Sequence, residues 1–228
     1  MENNYILKFF INNYSVRKQN GFTLAEVLIT LVIVGVIAAV TIPTLINKTN
    51  NQEYISRLKK TYSALSQATK QIISDEGLPR ADMGGWATSN EAIYNMYKKY
   101  LSNAKECNAG ETCFTPIVYT KYKSTASANY AIGDLTDRGR LVLADGTIMT
   151  FRLYSSSCAS KTCALIHVDV NGQKGPNMYG KDAFRFYLGE NGLFPSGCDY
   201  NSKNCLTKND GTGTACTCTA IRDGAINY

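Results

Sequence analysis

One long apolar stretch dominates the hydrophobic pattern of the chain. It runs from Gly21 to Leu45, and no charged residue lies between Val27 and Ile42. The segment from Phe22 to Ile46 would form a helix of about 37 Å, longer than the roughly 30 Å hydrocarbon core of a bilayer. The pattern predicts a single membrane-spanning segment, and it excludes a transporter with several spans.

The apolar positions after this stretch recur every three or four residues. That spacing is typical of a helix with one buried face, and the positions are Ile55, Leu58, Tyr62, Leu65 and Ile72. Gly77 and Pro79 are suited to end such a helix. The sequence therefore predicts one continuous helix from Phe22 to Glu76, about 80 Å long, with its second half packed under a folded head.

Beyond this helix the pattern predicts one short helix and then strands. The helix is expected from Glu91 to Leu101, with Ser89 or Asn90 as its cap. The predicted strands are Arg140–Ala144, Thr147–Tyr154, Ala164–Val170, Phe184–Leu188 and Leu193–Phe194. Asp145-Gly146 predicts a two-residue hairpin between the first two strands. The expected fold class is α+β, with a small antiparallel sheet of four or five strands packed on the long helix.

All the cysteines lie beyond the first hundred residues. They are Cys107, Cys113, Cys158, Cys163, Cys198, Cys205, Cys216 and Cys218. An even number of clustered cysteines behind an apolar N-terminal segment predicts disulfides in an oxidising compartment. A zinc site is the alternative, but the chain has no CxxC pair and a single histidine, His167.

The C-terminal tail from Pro195 to Tyr228 is rich in Gly, Thr, Asn and Cys and poor in apolar residues. It therefore needs covalent links to hold a conformation. Cys216 and Cys218 are too close in sequence to bond easily with each other, so each is expected to pair with a more distant cysteine. The four cysteines of the tail allow three connectivities, and the sequence does not choose among them.

Charge and motifs argue against two classes of function. The formal net charge is +6, from 24 Lys and Arg against 18 Asp and Glu. The basic residues are scattered and form no stripe, so nucleic-acid binding is not expected. The chain has no GxSxG, P-loop or GxGxxG motif, and His167 lies in an apolar run, which favours a sheet residue over a catalytic base. We expect neither an enzyme nor a cofactor.

Glu26 interrupts the start of the apolar stretch. At bilayer depth an unpaired carboxylate would cost about 2.5–3.5 kcal/mol, and the alternative is that Glu26 lies at the interface in headgroup water. The order Gly-Phe-Thr-Leu-x-Glu from Gly21 to Glu26, before an apolar run that ends in Ile-Pro, resembles the N-terminal signal of type IV pilins and type II secretion pseudopilins. The resemblance implies cleavage after Gly21 and N-methylation of Phe22. It also implies that Glu26 neutralises the amine of Phe22 during assembly, and that Pro43 bends or locally melts the helix.

The resemblance implies a domain organisation and a set of partners. Residues 1–21 would be a leader, residues 22–76 the long helix, with 22–46 as its transmembrane and assembly half, and residues 77–228 a disulfide-bearing head. The implied partners are other pilin-like subunits, a prepilin peptidase and methylase, and an inner-membrane assembly platform with its ATPase. The implied location is the inner membrane, with the head outside the cytoplasm, and then an extracellular or periplasmic fibre.

Other interpretations of the same residues remain open at this point. The apolar stretch also fits a secretory signal peptide cut after Ala38 or Ala39, or a plain membrane anchor. In either case the head would be a binding domain that does not polymerise.

In the head, Asp169, Asn171 and Asp182 could supply oxygen ligands for Ca²⁺. The Gly, Asn and Pro residues around them favour instead a turn whose carboxylates accept backbone hydrogen bonds.

Overall fold

The computed structural model describes residues 21–101, 103–108, 118–123, 139–198, 205–207 and 212–228. The chain forms two compact units, which divide after Ile46. The long helix, α1, extends from Leu24 to Glu76, as the sequence predicted to within two residues at its start. Its first part belongs to the first unit and its second part to the other.

Pro43 lies inside α1 and the helix continues through it, so of the two expected effects local melting does not occur, and a bend stays a prediction. A proline lacks only its own N–H, which here would have bonded to the carbonyl of Ala39. The nearby Thr41 and Thr44 hydroxyls donate to helix carbonyls, at 2.9 Å to Ile37 and at 2.7 Å to Thr41. The helix continues because the loss of one backbone bond leaves the neighbouring bonds intact.

A short helix, α2, runs from Asn90 to Tyr100, one residue before the predicted bounds. Ser89 is its cap, since its hydroxyl accepts a hydrogen bond of 3.0 Å from a backbone amide of the first turn. The ring of the buried Tyr97 stacks on that of Phe151, with centroids 4.9 Å apart. The Tyr97 hydroxyl lies 2.6 Å from the hydroxyl of Thr69 in α1, so α2 is fixed to both the sheet and the long helix.

Within the part of the chain that the structure describes, six strands form one antiparallel sheet in chain order. They are β1 (Lys105–Cys107), β2 (Arg140–Val142), β3 (Ile148–Leu153), β4 (Ala164–Asp169), β5 (Ala183–Gly189) and β6 (Gly192–Pro195). The α+β fold class is confirmed, but the predicted number of strands omits β1. Lys105 and Glu106 are exposed on this edge strand, and a short polar edge lacks the alternation by which strands are detected.

The turn between β2 and β3 differs from the two-residue hairpin that Asp145-Gly146 predicts. The amide of Leu143 bonds to the carbonyl of Thr147 at 2.9 Å, which leaves a three-residue loop from Ala144 to Gly146. Gly146 has a positive φ of 87° and Asp145 does not. A two-residue type I′ turn needs positive φ at both positions, whereas a three-residue loop needs it only at the glycine.

The sheet buries both of its faces. The apolar face packs on α1 and α2 and consists of Leu141, Met149, Phe151, Ile166, Val168, Phe184 and Phe186. Tyr62 of α1 stacks on Phe186 with ring centroids 5.5 Å apart. The opposite face combines a small cluster around Tyr119 and Tyr179 with a buried polar row across four strands, formed by Arg140, Thr150, His167 and Arg185.

Disulfides join the loops and the tail, as the cysteine pattern predicted. The pairs are Cys158–Cys163, Cys198–Cys218 and Cys205–Cys216. The last two are nested, so Cys216 and Cys218 each bond to a distant partner. Cys107 is also disulfide-bonded, while Cys113 lies outside the described residues. A third helix, α3, runs from Thr217 to Asp223 and packs against the main core through Ala220.

Candidate functional site

The start of α1 is held by a reciprocal pair of side chains, Thr23 and Glu26. The Glu26 carboxylate oxygen Oε2 accepts hydrogen bonds from the Thr23 amide at 2.8 Å and from its hydroxyl at 2.9 Å. In return the Thr23 hydroxyl accepts from the Glu26 amide at 3.2 Å. This is a capping box, in which a Thr and a Glu three residues later satisfy each other's free amides. The sequence analysis missed Thr23, although the T-x-x-E spacing before an apolar run is its recognisable pattern.

Gly21 and Phe22 precede the helix in non-helical backbone, and 88% of the Phe22 surface is exposed. The peptide bond between them is therefore accessible. Glu26 lies one turn further on, and the capping box uses only its Oε2 oxygen. Among the residues that the structure describes, no hydrogen bond involves its Oε1 oxygen. The structure thus places the predicted cleavage position and the predicted acidic residue at the same end of α1.

The first part of α1 has the properties of a membrane-spanning helix by length and composition. Its most apolar window of 18 residues has a mean hydropathy of 2.6, and none of that window is buried. The threonines within it are satisfied locally, as shown by the Thr30 hydroxyl, which donates to the carbonyl of Val27 at 2.9 Å. Because its hydroxyls bond to the helix itself, this surface suits an environment without water.

The head contains a buried pair of carboxylates, Asp169 and Asp182, both 0% exposed. Asp169 accepts from the amides of Asn171 and Gly172, at 3.1 and 2.9 Å, and from the Tyr119 hydroxyl at 2.6 Å. Asp182 accepts from the amides of residues 177 and 178, at 2.8 and 2.6 Å. The carboxylates thus organise turns, as the local composition favoured, and the described part of the chain contains no group of three His, Cys, Asp or Glu that could hold a metal ion.

His167 is buried in β4, as expected of a sheet residue. Its ring nitrogen Nδ1 lies 2.8 Å from the hydroxyl of Tyr179, and the Tyr179 ring lies 5.8 Å from that of Tyr119. The histidine therefore belongs to the same polar layer that Tyr119 links to Asp169.

The carboxylate pair predicts a pH dependence of stability. Burial raises the pKa of Asp169 well above its ordinary value, the charge of Asp182 raises it further, and burial raises the pKa of Asp182. A raised folded-state pKa means that the native head holds these protons more tightly than the unfolded chain, so the stabilising contribution is complete below about pH 4 and is lost as the pH rises through the folded-state values. We expect Asp182→Asn to reduce the fall in stability between pH 5 and pH 8.

The measurement is urea unfolding of the full chain in detergent micelles, followed by fluorescence of Trp86. This is the single tryptophan of the chain, and its indole nitrogen donates to the carbonyl of Gly77 at 3.1 Å. Asparagine has one oxygen fewer to accept the backbone hydrogen bonds, so the Asp182→Asn head is less stable than wild type at every pH. The two proteins are therefore compared by the slope of their free energy of unfolding against pH. Parallel pH profiles for wild type and variant would contradict the assignment.

Comparison with known families agrees with this arrangement. Residues 16–42 match the prokaryotic N-terminal methylation motif, which includes Gly21, Phe22, Thr23 and Glu26 and ends one residue before Pro43. Residues 44–209 match a family of unknown function, DUF6613. No curated protein and no solved structure matches the chain. The chain therefore belongs to the DUF6613 family, and it begins with the prepilin signal of type IV pilins and pseudopilins.

Proposed function

We propose that this protein is a structural subunit of a pilin-like fibre, either a type IV pilus or a type II secretion pseudopilus. A prepilin peptidase cuts it after Gly21, Phe22 becomes N-methylated, and the subunits polymerise through the first half of α1. The observation that carries the proposal is the methylation motif at the head of an unbroken helix whose apolar side chains are exposed.

The apolar surface of this helix must be buried away from water, and either a bilayer or a bundle of identical helices can bury it. Lipid tails are as apolar as leucine side chains, so moving the helix from lipid into a bundle gains little from hydrophobicity itself. Close packing and polar contacts must then decide how subunits align. Glu26 is the charged residue of this segment between Phe22 and Ile46, which makes it the group best placed to fix the axial register.

The proposed partner of Glu26 is the amine that cleavage creates on Phe22 of the same or a neighbouring subunit. In a packed bundle of low dielectric constant, the attraction between the two charges offsets much of the cost of burying each. A subunit placed one step out of register leaves one charge without a partner. The capping box supports this role because it holds the carboxylate at the end of the helix near Phe22.

The proposal includes the partners that such a pathway needs. They are the prepilin peptidase and methylase, other pilin-like subunits, and an inner-membrane platform with its ATPase. The precursor would lie in the inner membrane with its head outside the cytoplasm, where disulfides form, and the mature subunit would lie in the fibre. The function is polymerisation and surface presentation, with no catalytic step.

A membrane-anchored head that never polymerises is the second candidate. The disulfides favour an oxidising compartment, and that compartment suits an anchored binding domain equally well. The two candidates differ in processing, because only the pilin pathway removes residues 1–21 and methylates the new N-terminus.

The test is the N-terminal mass of the protein isolated from its native cell without reducing agent. We expect a mature chain that begins at Phe22 and carries one methyl group on its amine. A chain that begins at Ala39 or Val40 would instead establish a secretory signal peptide, and an intact Met1 would establish a simple anchor. Either of these results would overturn the proposed function.

A further inference from the structure

One disulfide of the head is accessible from outside, in contrast to the other cysteines that the structure describes. Cys198 is exposed, and its partner Cys218 is half-buried. Each of the remaining described cysteines is at most 3% exposed, and they are Cys107, Cys158, Cys163, Cys205 and Cys216. Buried cysteines are inert, whereas exposed disulfides are the labile ones that exchange with external thiols. Exposure therefore singles out Cys198–Cys218.

Cys198 also lines a groove beside β6. The groove has a volume of about 680 Å³, and its other lining residues are Lys161, the turn 189–192, Leu193 and Phe194. A volume of this size is within the range of sites that receive ligands, so there is room for a cysteine side chain and its neighbours. Leu193 and Phe194 are half-buried and offer apolar contacts to such a segment.

The groove presents a positive charge to an incoming group. Lys161 is exposed, and no acid among the described residues forms an ion pair with it. The acid of the groove, Glu190, already pairs with Arg80 at 2.9 Å. The attacking group in thiol–disulfide exchange is a thiolate, which a nearby cation stabilises. The charges of the groove therefore favour the approach of a thiolate.

Opening of this bond would leave the tail in place. The bond Cys205–Cys216 lies within the same tail and is buried. Hydrogen bonds also hold the start of α3, since the amide of Cys218 donates to the carbonyl of Ser196 at 3.0 Å and a backbone amide of β5 donates to the Thr217 hydroxyl at 3.1 Å. We therefore expect the head to keep its fold after reduction of the exposed bond, so that the exchange is reversible.

We propose that Cys198–Cys218 is a redox site that exchanges with a protein dithiol, and that the groove beside β6 receives the attacking cysteine of that partner. The partner thiolate attacks Sγ of Cys198 and forms a mixed disulfide, while the bond to Cys218 breaks and the Cys218 sulfur leaves as a thiolate and takes up a proton. The second thiol of the partner then loses its proton, attacks the partner's sulfur in the mixed disulfide and releases Cys198, which is protonated in turn. The head gains two electrons and two protons, and the partner becomes a disulfide.

The same steps in reverse close the bond. The inference goes beyond the proposed function and does not depend on polymerisation.

The test uses the full chain in neutral detergent micelles, with reduced thioredoxin as the protein dithiol. New thiols are alkylated at intervals without denaturant and located by peptide mass spectrometry. We expect Cys198 and Cys218 to be alkylated about tenfold faster than the cysteines of the buried bonds Cys158–Cys163 and Cys205–Cys216. A thioredoxin that lacks its second cysteine should be trapped on Cys198.

A charge variant tests the groove itself. Lys161→Gln should slow the reaction with thioredoxin about threefold, the size expected for one exposed charge pair. The matched control is Lys70→Gln, which changes an exposed lysine of α1 outside the groove and should leave the rate unchanged. An equal effect of the two substitutions would indicate net charge alone and would overturn the role of the groove.

Three further results would overturn the proposal. Opening of all the bonds at one rate would mean that thiols reach them only through unfolding. Trapping of thioredoxin on Cys218 would contradict the direction of attack, and selective opening by dithiothreitol but not by thioredoxin would exclude a protein partner. The N-terminal mass is measured separately, so failure of this inference is distinguishable from failure of the proposed function.

Discussion

Replacement of Glu26 by Gln is expected to lower incorporation of the subunit into fibres at least tenfold, while cleavage after Gly21 continues. Glutamine is nearly isosteric and its carbonyl oxygen can still accept the hydrogen bonds from Thr23, so the cap of α1 is kept. The charge is lost, and the amine of Phe22 would then be buried without a partner. Leaving one charge of a buried pair alone costs about 3–5 kcal/mol, more than the 1.4 kcal/mol that corresponds to a factor of ten.

Comparison of three variants separates the charge of Glu26 from its capping role. Glu26→Ala removes both, Thr23→Val removes the hydroxyl that participates in the cap, and Glu91→Gln removes a charge from an exposed position at the start of α2. Fibre incorporation and N-terminal processing are measured for each variant in cells that lack the native chain. If assembly depends on the charge of Glu26, Glu26→Gln and Glu26→Ala should lose fibre incorporation to the same extent. Glu91→Gln should then be incorporated normally. Wild-type incorporation of Glu26→Gln would refute the pairing with Phe22.

Removal of the disulfide Cys205–Cys216 by a pair of Cys→Ala substitutions is expected to destabilise the head by about 3 kcal/mol. The sequence separation of the bond is 11 residues, and closing a loop of that size lowers the entropy of the unfolded chain by about this amount. The bond Cys198–Cys218 remains in this variant and still holds the start of α3, so the loss should be local to the segment around Cys205. The measurement is urea unfolding of the full chain in micelles, with Trp86 fluorescence as the probe.

The disulfide Cys158–Cys163 provides a matched control. Its cysteines are also buried, but the sequence separation is only 5 residues, so the expected loss is about 2 kcal/mol. Proteolysis should distinguish the two variants further, because only the loss of Cys205–Cys216 should expose the segment around Cys205. An equal or smaller effect of the Cys205–Cys216 removal would mean that packing, and not the bond, holds the tail.

The sequence predicted the long helix well because its determinants are local. The apolar run and the three-four spacing of Ile55, Leu58, Leu65 and Ile72 are properties of consecutive residues, and all four are buried where the stripe predicts. The processing motif is likewise a short linear pattern, and a family model recognises it. Thr23 was not predicted as the helix cap, although the T-x-x-E pattern that marks it is also a local feature of the sequence.

The head was less predictable because its features depend on residues far apart in the chain. The sheet has an apolar and a polar buried face, so the alternation of β4 does not separate inside from outside, and all six of its residues are buried. Arg185 looks like a surface position by residue type, yet it is only 5% exposed, and it lies beside the buried His167 of β4. Only the packing of distant segments on the second face explains their burial.

The sequence by itself determined a helix long and apolar enough to span a membrane, the prepilin signal, the α+β class and the presence of disulfides, since composition and short-range order suffice for each. The tertiary structure decided which cysteines pair in the tail, that the carboxylates of Asp169 and Asp182 bond to backbone amides, and that Cys198 and Lys161 line one groove. Each of these depends on distances between residues that are separated in the chain. Such distances are set by the packing of the whole head and have no counterpart in any local stretch of sequence.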